Sequence, residues 1–469
     1  MISPGGRWIV VWLKKQDKNL DVVSLISQLG SFLFTIGSFV VVLSVIVAVH
    51  EYGHYIVGRW SGIHPEVFSL GFGPVLLSGV DRRGTRWQLA AIPFGGFVKF
   101  LGDADAASGR DPAQIETAKQ DPQMLRKTMH GAPLWARSAT VAAGPIFNFL
   151  LSIVIFTAVN LSQGRVQDPL AVGEIRDLPE LGYTLRPGDV ILAVAGVPIP
   201  NASEGGSWDQ FQASVPVEQP LDYRVGRGGS ELTVSGPYLM PSSVSRIAPR
   251  SAAADAGLRA GDVITAVDGE AIFAFSQLKQ KVEAGKGAPL VLTVWNEGET
   301  RELTLSPRRT DEPAADGGFE SNWRIGIAGG LAFDPAREAM SPVTAVGQGA
   351  AQVWLMIGRS LSGLKHMITG DISTCNLSGP VAIAETSSTM ASQGAVDFIW
   401  LIAALSTGIG LLNLFPVPVL DGGHLVFFAY EAVFRRPPND RAMQILMMIG
   451  LGLILSLMLF SISNDLLFC

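Results

Sequence analysis

Charge is scarce in this chain and cysteine is nearly absent. Of its 469 residues only 16% are charged, while 48% are hydrophobic. A soluble domain carries about a quarter of its residues as charges, so much of this chain is not an ordinary water-facing fold. The net charge of −6 lacks the basic excess of a nucleic-acid binder, and no nucleic-acid partner is expected. Cys375 and Cys469 are the only cysteines, too few for a disulfide framework, and the context of Cys469 is no prenylation box. Nor does the start of the chain read as a signal peptide. The first apolar run ends near Val49, too long and too late for one, and no small-residue cleavage site follows it. That run is expected to remain as a transmembrane helix.

Long apolar runs are what the chain has in quantity. Phe32–Gly58, Thr140–Leu161, Asp397–Leu420 and Ile445–Ile462 are each long enough to span a bilayer, which takes about 20 residues. The third is broken at Pro416 and Pro418, where helix hydrogen bonds are lost. Between the first two runs lies "FSLGFGPVLLSGVDRRGTRWQLAAIPFGGFVKFLGD", with turn signals at Asp81–Gly84. It reads as strands, a hairpin or small sheet. It is too apolar for a plain aqueous loop and is expected to dip into the membrane, packed against the helices.

Between the second and third runs the composition becomes that of a soluble protein, and a repeat appears. "LRPGDVILAVAGVPI" starts at Leu185 and "LRAGDVITAVDGEAI" at Leu258. Each is followed by a helical stretch and alternating strands, so two tandem modules of about 70 residues are expected. The pattern L-x-x-G-D-x-I resembles the PDZ domain in its bacterial form. A Gly/Asp/Pro-rich linker follows, and then Ser341–Thr369, whose mixed helical spacing suits an interfacial or a packed helix. The expected fold class is therefore a polytopic α-helical membrane protein of about four transmembrane helices, with a membrane-associated β-hairpin or sheet and two α+β PDZ modules. The divisions are an N-terminal extension at 1–30, membrane core at 31–161 and 397–469, modules at 162–240 and 241–310, a linker at 311–340, and an interfacial helical region at 341–396.

Basic residues near the spans orient the chain. Arg82, Arg83, Arg86, Lys99, Arg126, Lys127 and Arg137 lie in or beside the first interhelical loop, and Arg435, Arg436 and Arg441 in the last. Both loops are expected on the cytoplasmic side, with the modules opposite. Arg7, Lys14, Lys15 and Lys18 in the N-terminal tail oppose this, but the two loops agree with each other.

The chemistry lies in "HEYGH", His50–His54, at the end of the first run. Helix positions i and i+4 share a face, so two imidazoles one turn apart can bind one Zn²⁺. Glu51, on the adjoining face, is placed to take a proton from a zinc-activated water. Ionisable groups at membrane depth are functional by default, which weighs against a chance pentapeptide. Two histidines leave a metal short of a third ligand. Asp421, in "NLFPVPVLDGGHL", follows the proline break and precedes two glycines that allow close approach. Taken alone it reads as a turn or helix-capping aspartate, and the site's need for a ligand from elsewhere favours it. His424 is a rival. His64, His130 and His366 have no partner at ligand spacing and read as structural or surface residues.

These motifs together resemble the site-2 proteases, and more narrowly the bacterial regulator-of-sigma-E branch with tandem PDZ domains. The resemblance covers nearly the whole chain. It includes N-x-x-P-x-P-x-L-D-G-G from Asn413, "GPIFNFLLS" from Gly144, "GFGP" from Gly71 and "IPFGGFVKFLG" from Ile92. It implies a bacterial inner-membrane, multi-pass zinc endopeptidase that cuts single-span membrane proteins in regulated intramembrane proteolysis. Substrates would be a pre-trimmed anti-sigma factor or remnant signal peptides. His50, His54 and Asp421 would be the zinc ligands and Glu51 the general base, with the modules periplasmic and the site towards the cytoplasm.

A substrate helix must unwind before it is cut, and a sheet edge captures extended backbone. Ile92–Leu101 is the candidate edge. Gly95, Gly96 and Phe97 are candidate substrate contacts, as are Asn413 and Asn148, although Asn148 also reads as a helix-packing residue. The modules would act as a size filter or a peptide receptor. "PYLMPSS", Pro237–Ser243, is a candidate carboxylate loop weakened by Pro241, which has no backbone N–H. A membrane-anchored scaffold with a structural metal, or a metal transporter, are the rival readings.

Overall fold

The fold is given by a computed structural model, which describes residues 22–104, 109, 111–179, 182–200, 207–314 and 318–468. Residues 1–21 of the expected N-terminal extension, and 315–317 of the expected linker, lie outside the described residues. Among the described residues four helices are long and apolar enough to cross a membrane: Leu29–Trp60, Leu134–Gln163, Ala395–Asn413 and Arg441–Leu466.

Helix α1 (Val22–Trp60) enters the membrane core and carries His50, Glu51 and His54. Strands β1 (Pro65–Val80) and β2 (Arg86–Phe100) follow, joined by a turn whose amides at Arg83 and Thr85 bond the Asp81 carboxylate. Both strands bend back on themselves. Residues 65–70 of β1 pair on one side with 86–89 of β2 and on the other with 96–100, while 75–80 pairs again with 86–90. The two strands thus form one sheet of four hydrogen-bonded segments ordered 75–80, 86–90, 65–70, 96–100. The bends fall at Gly71, Gly73 and Gly95, with φ of 89°, 82° and 142°, values that side-chain-bearing residues rarely adopt. Phe72, Val75, Leu76, Leu77 and Val80 are exposed. An apolar surface of this kind suits contact with lipid rather than water.

Short helices α2 (Pro112–Ala118) and α3 (Pro122–Lys127), each capped by an aspartate, lead to α4 (Leu134–Gln163). Helices α1 and α4 approach closely. A Cβ at Gly53 would stand 2.6 Å from the Ala143 carbonyl oxygen. This is the small-residue packing that substitutes for a hydrophobic driving force in lipid.

After β3 (Arg165–Val166) come two modules of one design. The first holds β4 (Val172–Ile175), β5 (Val190–Val194), β6 (Val197–Pro198), α5 (Trp208–Ser214), β7 (Leu221–Arg227) and β8 (Ser230–Gly236), with sheet order β6-β5-β7-β8. The second holds β9 (Arg246–Ile247), α6 (Ala252–Asp255), β10 (Val263–Val267), β11 (Glu270–Ala271), α7 (Phe275–Ala284), β12 (Leu290–Asn296) and β13 (Glu299–Leu305), ordered β11-β10-β12-β13. The aspartate of each G-D repeat is buried at the same place. Asp189 accepts from the Arg186 amide and from Arg227, and Asp262 from the Arg259 amide, Asn296 and Arg301. The repeated G-D is thus a polar pin between a turn and the sheet.

The range 311–340, expected as a linker, is largely strand. Hairpin β14 (Arg308–Pro313) and β15 (Phe319–Arg324) leads to β16 (Ile327–Ala328), which pairs with β9. Then β17 (Phe333–Pro335) pairs with β4, and β18 (Arg337–Glu338) with β3. One passing segment therefore completes both modules. Ile325 lies in the second module's core, and Ala332 and Phe333 in the first's. The expected boundaries at 240 and 310 fall short of where each module closes.

Helix α8 (Pro342–Thr369), capped by Ser341 and ended by Gly370 at φ 83°, packs on α4 through Ala345, Gly349 and Val353. Helix α9 (Pro380–Gln393) packs on α1 and on α10 (Ala395–Asn413). The expected third span, to Leu420, ends sooner. The helix stops at Asn413, residues 414–420 form the proline turn, and α11 (Asp421–Phe434) begins at Asp421. Helix α12 (Asp440–Ser463) closes the core.

Candidate active site

Three distant stretches meet beside α1. His50 and His54 project from one face with Nε2 atoms 3.2 Å apart. Asp421 Oδ2 stands 3.2 Å from His50 Nε2 and 3.5 Å from His54 Nε2. The aspartate arrives there because the α10–α11 turn is very tight. A Cβ at Gly422 would lie 2.3 Å from the Phe415 oxygen, and one at Gly423 2.3 Å from the Val417 oxygen. The two glycines are a steric requirement of the turn.

The donors fit zinc. Bonds of about 2.0–2.1 Å in a tetrahedron set donor atoms roughly 3.3 Å apart, close to the three separations above. His54 Nδ1 lies 2.8 Å from the Thr140 carbonyl oxygen; a proton on Nδ1 leaves a lone pair on Nε2. Asp421 Oδ2 is buried with no hydrogen-bond partner. Buried acceptors facing each other without a proton between them call for a cation. Among the described residues this is the one group of three or more His, Cys, Asp or Glu side chains so placed. His424 stands outside it, with its ring edge-on to Phe427.

Asn148, expected to serve substrate or packing, reaches His50. Its Nδ2 is 3.2 Å from His50 Nδ1, while its Oδ1 is buried without a partner. Ligation through His50 Nε2 requires a proton on Nδ1, so the amide then presents its oxygen to the ring. Its backbone oxygen accepts from Ser152 and from Ser406 of α10, and Ser152 also bonds the Ala403 oxygen. These bonds join α4 to α10 behind the histidines. Gly144 supplies room, for a Cβ there would lie 2.4 Å from His54 Nε2 and 2.8 Å from His50 Cε1.

Glu51 faces the sheet. A Cβ at Gly96 would stand 3.1 Å from Glu51 Cγ, 2.9 Å from Val47 Cγ1 and 2.8 Å from the Ser69 oxygen. The 96–100 segment is an outer strand of the sheet, so this backbone lies directly beside the carboxylate. Phe97 pairs with Ser69 and stacks its ring on Phe72 at 6.0 Å. Gly95 forms the bend. Asn413 ends α10, half-buried. Of the other histidines, His130 lies 3.3 Å from buried Asp103 and His366 2.8 Å from Asp371, both outside the cluster. The roles of Thr140, Asn148 and Gly144 toward the histidines have no signal in local sequence, since each depends on how α4 crosses α1.

Known proteins agree with this chemistry. The model of peptidase family M50 matches residues 38–457. A Rhizobium meliloti protein, provisionally named a zinc metalloprotease, is 36% identical over 93% of this chain and 97% of its own. Protease RseP of Yersinia pestis is 31% identical over 93% of this chain and 99% of its own. Metalloprotease MmpA of Caulobacter vibrioides is 31% identical over 93% and 96%. With two histidines and an aspartate converging on a zinc-shaped site and a glutamate beside them, the chain belongs to peptidase family M50, the site-2 protease family of zinc metalloproteases.

Proposed function

We propose that the chain is an intramembrane endopeptidase cutting single-span membrane proteins, with His50, His54 and Asp421 holding zinc and Glu51 as base. The observation that carries this reading is that two of the three ligands, His50 and His54, sit on a helix long and apolar enough to cross a bilayer. When bound, zinc supplies a Lewis acid that acidifies water and polarises the scissile carbonyl. Glu51 takes the proton of the attacking water and delivers it to the leaving amine. A scaffold or a transported metal has no use for a carboxylate at that position. The outer strand at 96–100 offers backbone for an extended substrate, with Gly95, Gly96 and Phe97 along it. Asn413 stands as a further substrate contact, and Asn148 acts through His50.

The basic loops support a cytoplasmic placement of this end of α1. The soluble composition of the modules and their place opposite the basic loops support a periplasmic position for them in a bacterial inner membrane. There the modules would screen substrates by size, admitting proteins already trimmed, such as an anti-sigma factor or a remnant signal peptide.

The test is a single-span reporter made with a short or a bulky outer domain and co-expressed with the full chain. The wild type should cut the short form and spare the bulky one. Glu51→Gln should lower cleavage at least about a hundredfold and keep its zinc. Continued cleavage by Glu51→Gln would refute the mechanism. Equal cutting of both reporters would refute the size screen.

A further inference from the structure

We propose that Arg137 and Glu431 are positioning residues: their ion pair, between a buried guanidinium and a half-buried carboxylate, fixes α11 on α4 and so holds Asp421 against the histidine pair. The proposal rests on reading Asp421 as a zinc ligand. The pair joins residues 294 positions apart, with Arg137 Nη1 3.0 Å from Glu431 Oε2 and Nη2 2.6 Å from Oε1. A two-pronged bond of this kind sets orientation as well as distance. The guanidinium is held on its other sides too. Its Nε donates to the Ala132 oxygen at 3.1 Å, and its carbon lies 5.2 Å from the centre of the Phe428 ring. Arg137 is only 9% exposed.

The two ends of the pair are tied to the two halves of the site. Arg137 stands one turn before Thr140, whose carbonyl oxygen faces His54 Nδ1. Glu431 stands ten residues along α11 from Asp421, about 15 Å of helix. Helix α11 packs chiefly on α4, and its Leu425 and Phe428 lie against an apolar cluster that includes Ala136 and Val141 of α4. Apolar contacts tolerate sliding, whereas a forked ion pair does not. Asp421 is the first residue of α11, so any shift of the helix along α4 carries its carboxylate with it. The pair therefore removes the sliding freedom that would carry Asp421 away from His50 and His54. A charged pair in this setting is costly to bury unless both partners are in place, which makes its register self-enforcing.

The experiment compares zinc retention against increasing chelator in the purified full chain and in Arg137→Gln, Glu431→Gln, Arg137→Lys and the reversed pair Arg137→Glu/Glu431→Arg. Asp421→Ala is the control. Each Gln variant should release zinc at about tenfold lower chelator, the range seen when groups supporting a ligand are removed. Arg137→Lys, which keeps charge but loses the fork, should fall between. The reversed pair should regain most of the retention. Unfolding of the zinc-free proteins is followed in parallel, and the Lys variant should match the wild type there. Zinc retention within twofold of wild type in both Gln variants would overturn the proposal, as would a reversed pair no better than its single parents. Asp421→Ala that keeps zinc would instead overturn the ligand reading beneath it.

Discussion

A metal site built on close helix packing is sensitive to single methyl groups, and Gly144 is where this is sharpest. Ala at 144 places a Cβ within 2.4 Å of His54 Nε2, so the ring or the helix must move. Gly144→Ala should cut zinc retention and cleavage at least about tenfold. Gly408→Ala, where no atom lies within 4 Å of the new Cβ, should leave both unchanged. Metal analysis beside the reporter assay checks the contrast. His54→Ala and Asp421→Ala should each lose bound zinc; full occupancy in either would remove that residue from the ligand set. The histidines and Glu51 were legible in the sequence because an i, i+4 pair on a helix needs nothing but helical geometry. Asp421 was legible only through the site's need for a third ligand. The Thr140 oxygen and the Asn148 amide were not legible, since their role is created by a crossing between helices that no local pattern encodes.

At the scale of elements, the sheet and the G-D pins make separate claims. The stretch from 65 to 100 reads as strands, but its folding into four paired segments of one sheet follows from glycine bends that a simple hairpin pattern does not specify. Gly96 is the residue whose backbone stands against Glu51. Gly96→Ala should push the strand off α1 and lower cleavage about tenfold or more, while zinc content stays at the wild-type level. Loss of zinc together with activity would mean the strand supports the fold rather than the substrate. In the modules, burial raises the pKa of Asp189, but Arg227 and the Arg186 amide outweigh it and hold the carboxyl below its ordinary value. A depressed folded pKa contributes stability above the unfolded value of about 3.9, and this is lost as pH falls through the lower folded value. Acid unfolding of the first module should therefore begin nearer neutrality in Asp189→Asn than in the wild type. In the second module Asp262→Asn leaves Arg301 and the Arg259 amide poorly matched and should cost about 2 kcal/mol, read from its denaturation midpoint.

The whole molecule interleaves what the sequence presents in series. The tandem repeat was plain, since each copy carries its own turn, helix and strands. The closure of the copies was hidden, because β16 and β17 pair with β9 and β4 from far along the chain, and the Gly/Asp/Pro content around residue 315 resembles a linker. Phe333 makes the consequence testable. It is fully buried, in the core of the first module with Val172, Val194 and Tyr223, although the second module lies between them in sequence. Phe333→Ala should destabilise the first module by about 3–5 kcal/mol through the cavity it leaves. Hydrogen exchange should then speed up at Ile191, Tyr223 and Val225, while Ile264, Leu292 and Val294 in the second core keep their protection. Uniform loss in both cores would mean the two modules unfold as one body, and no change in either would mean that the passing segment is not part of the first module. The expected split follows from where the side chain is buried: Phe333 fills the first core, which Val263 and Ala274 of the second module join at its edge, whereas Ile264, Leu292 and Val294 lie in the second core.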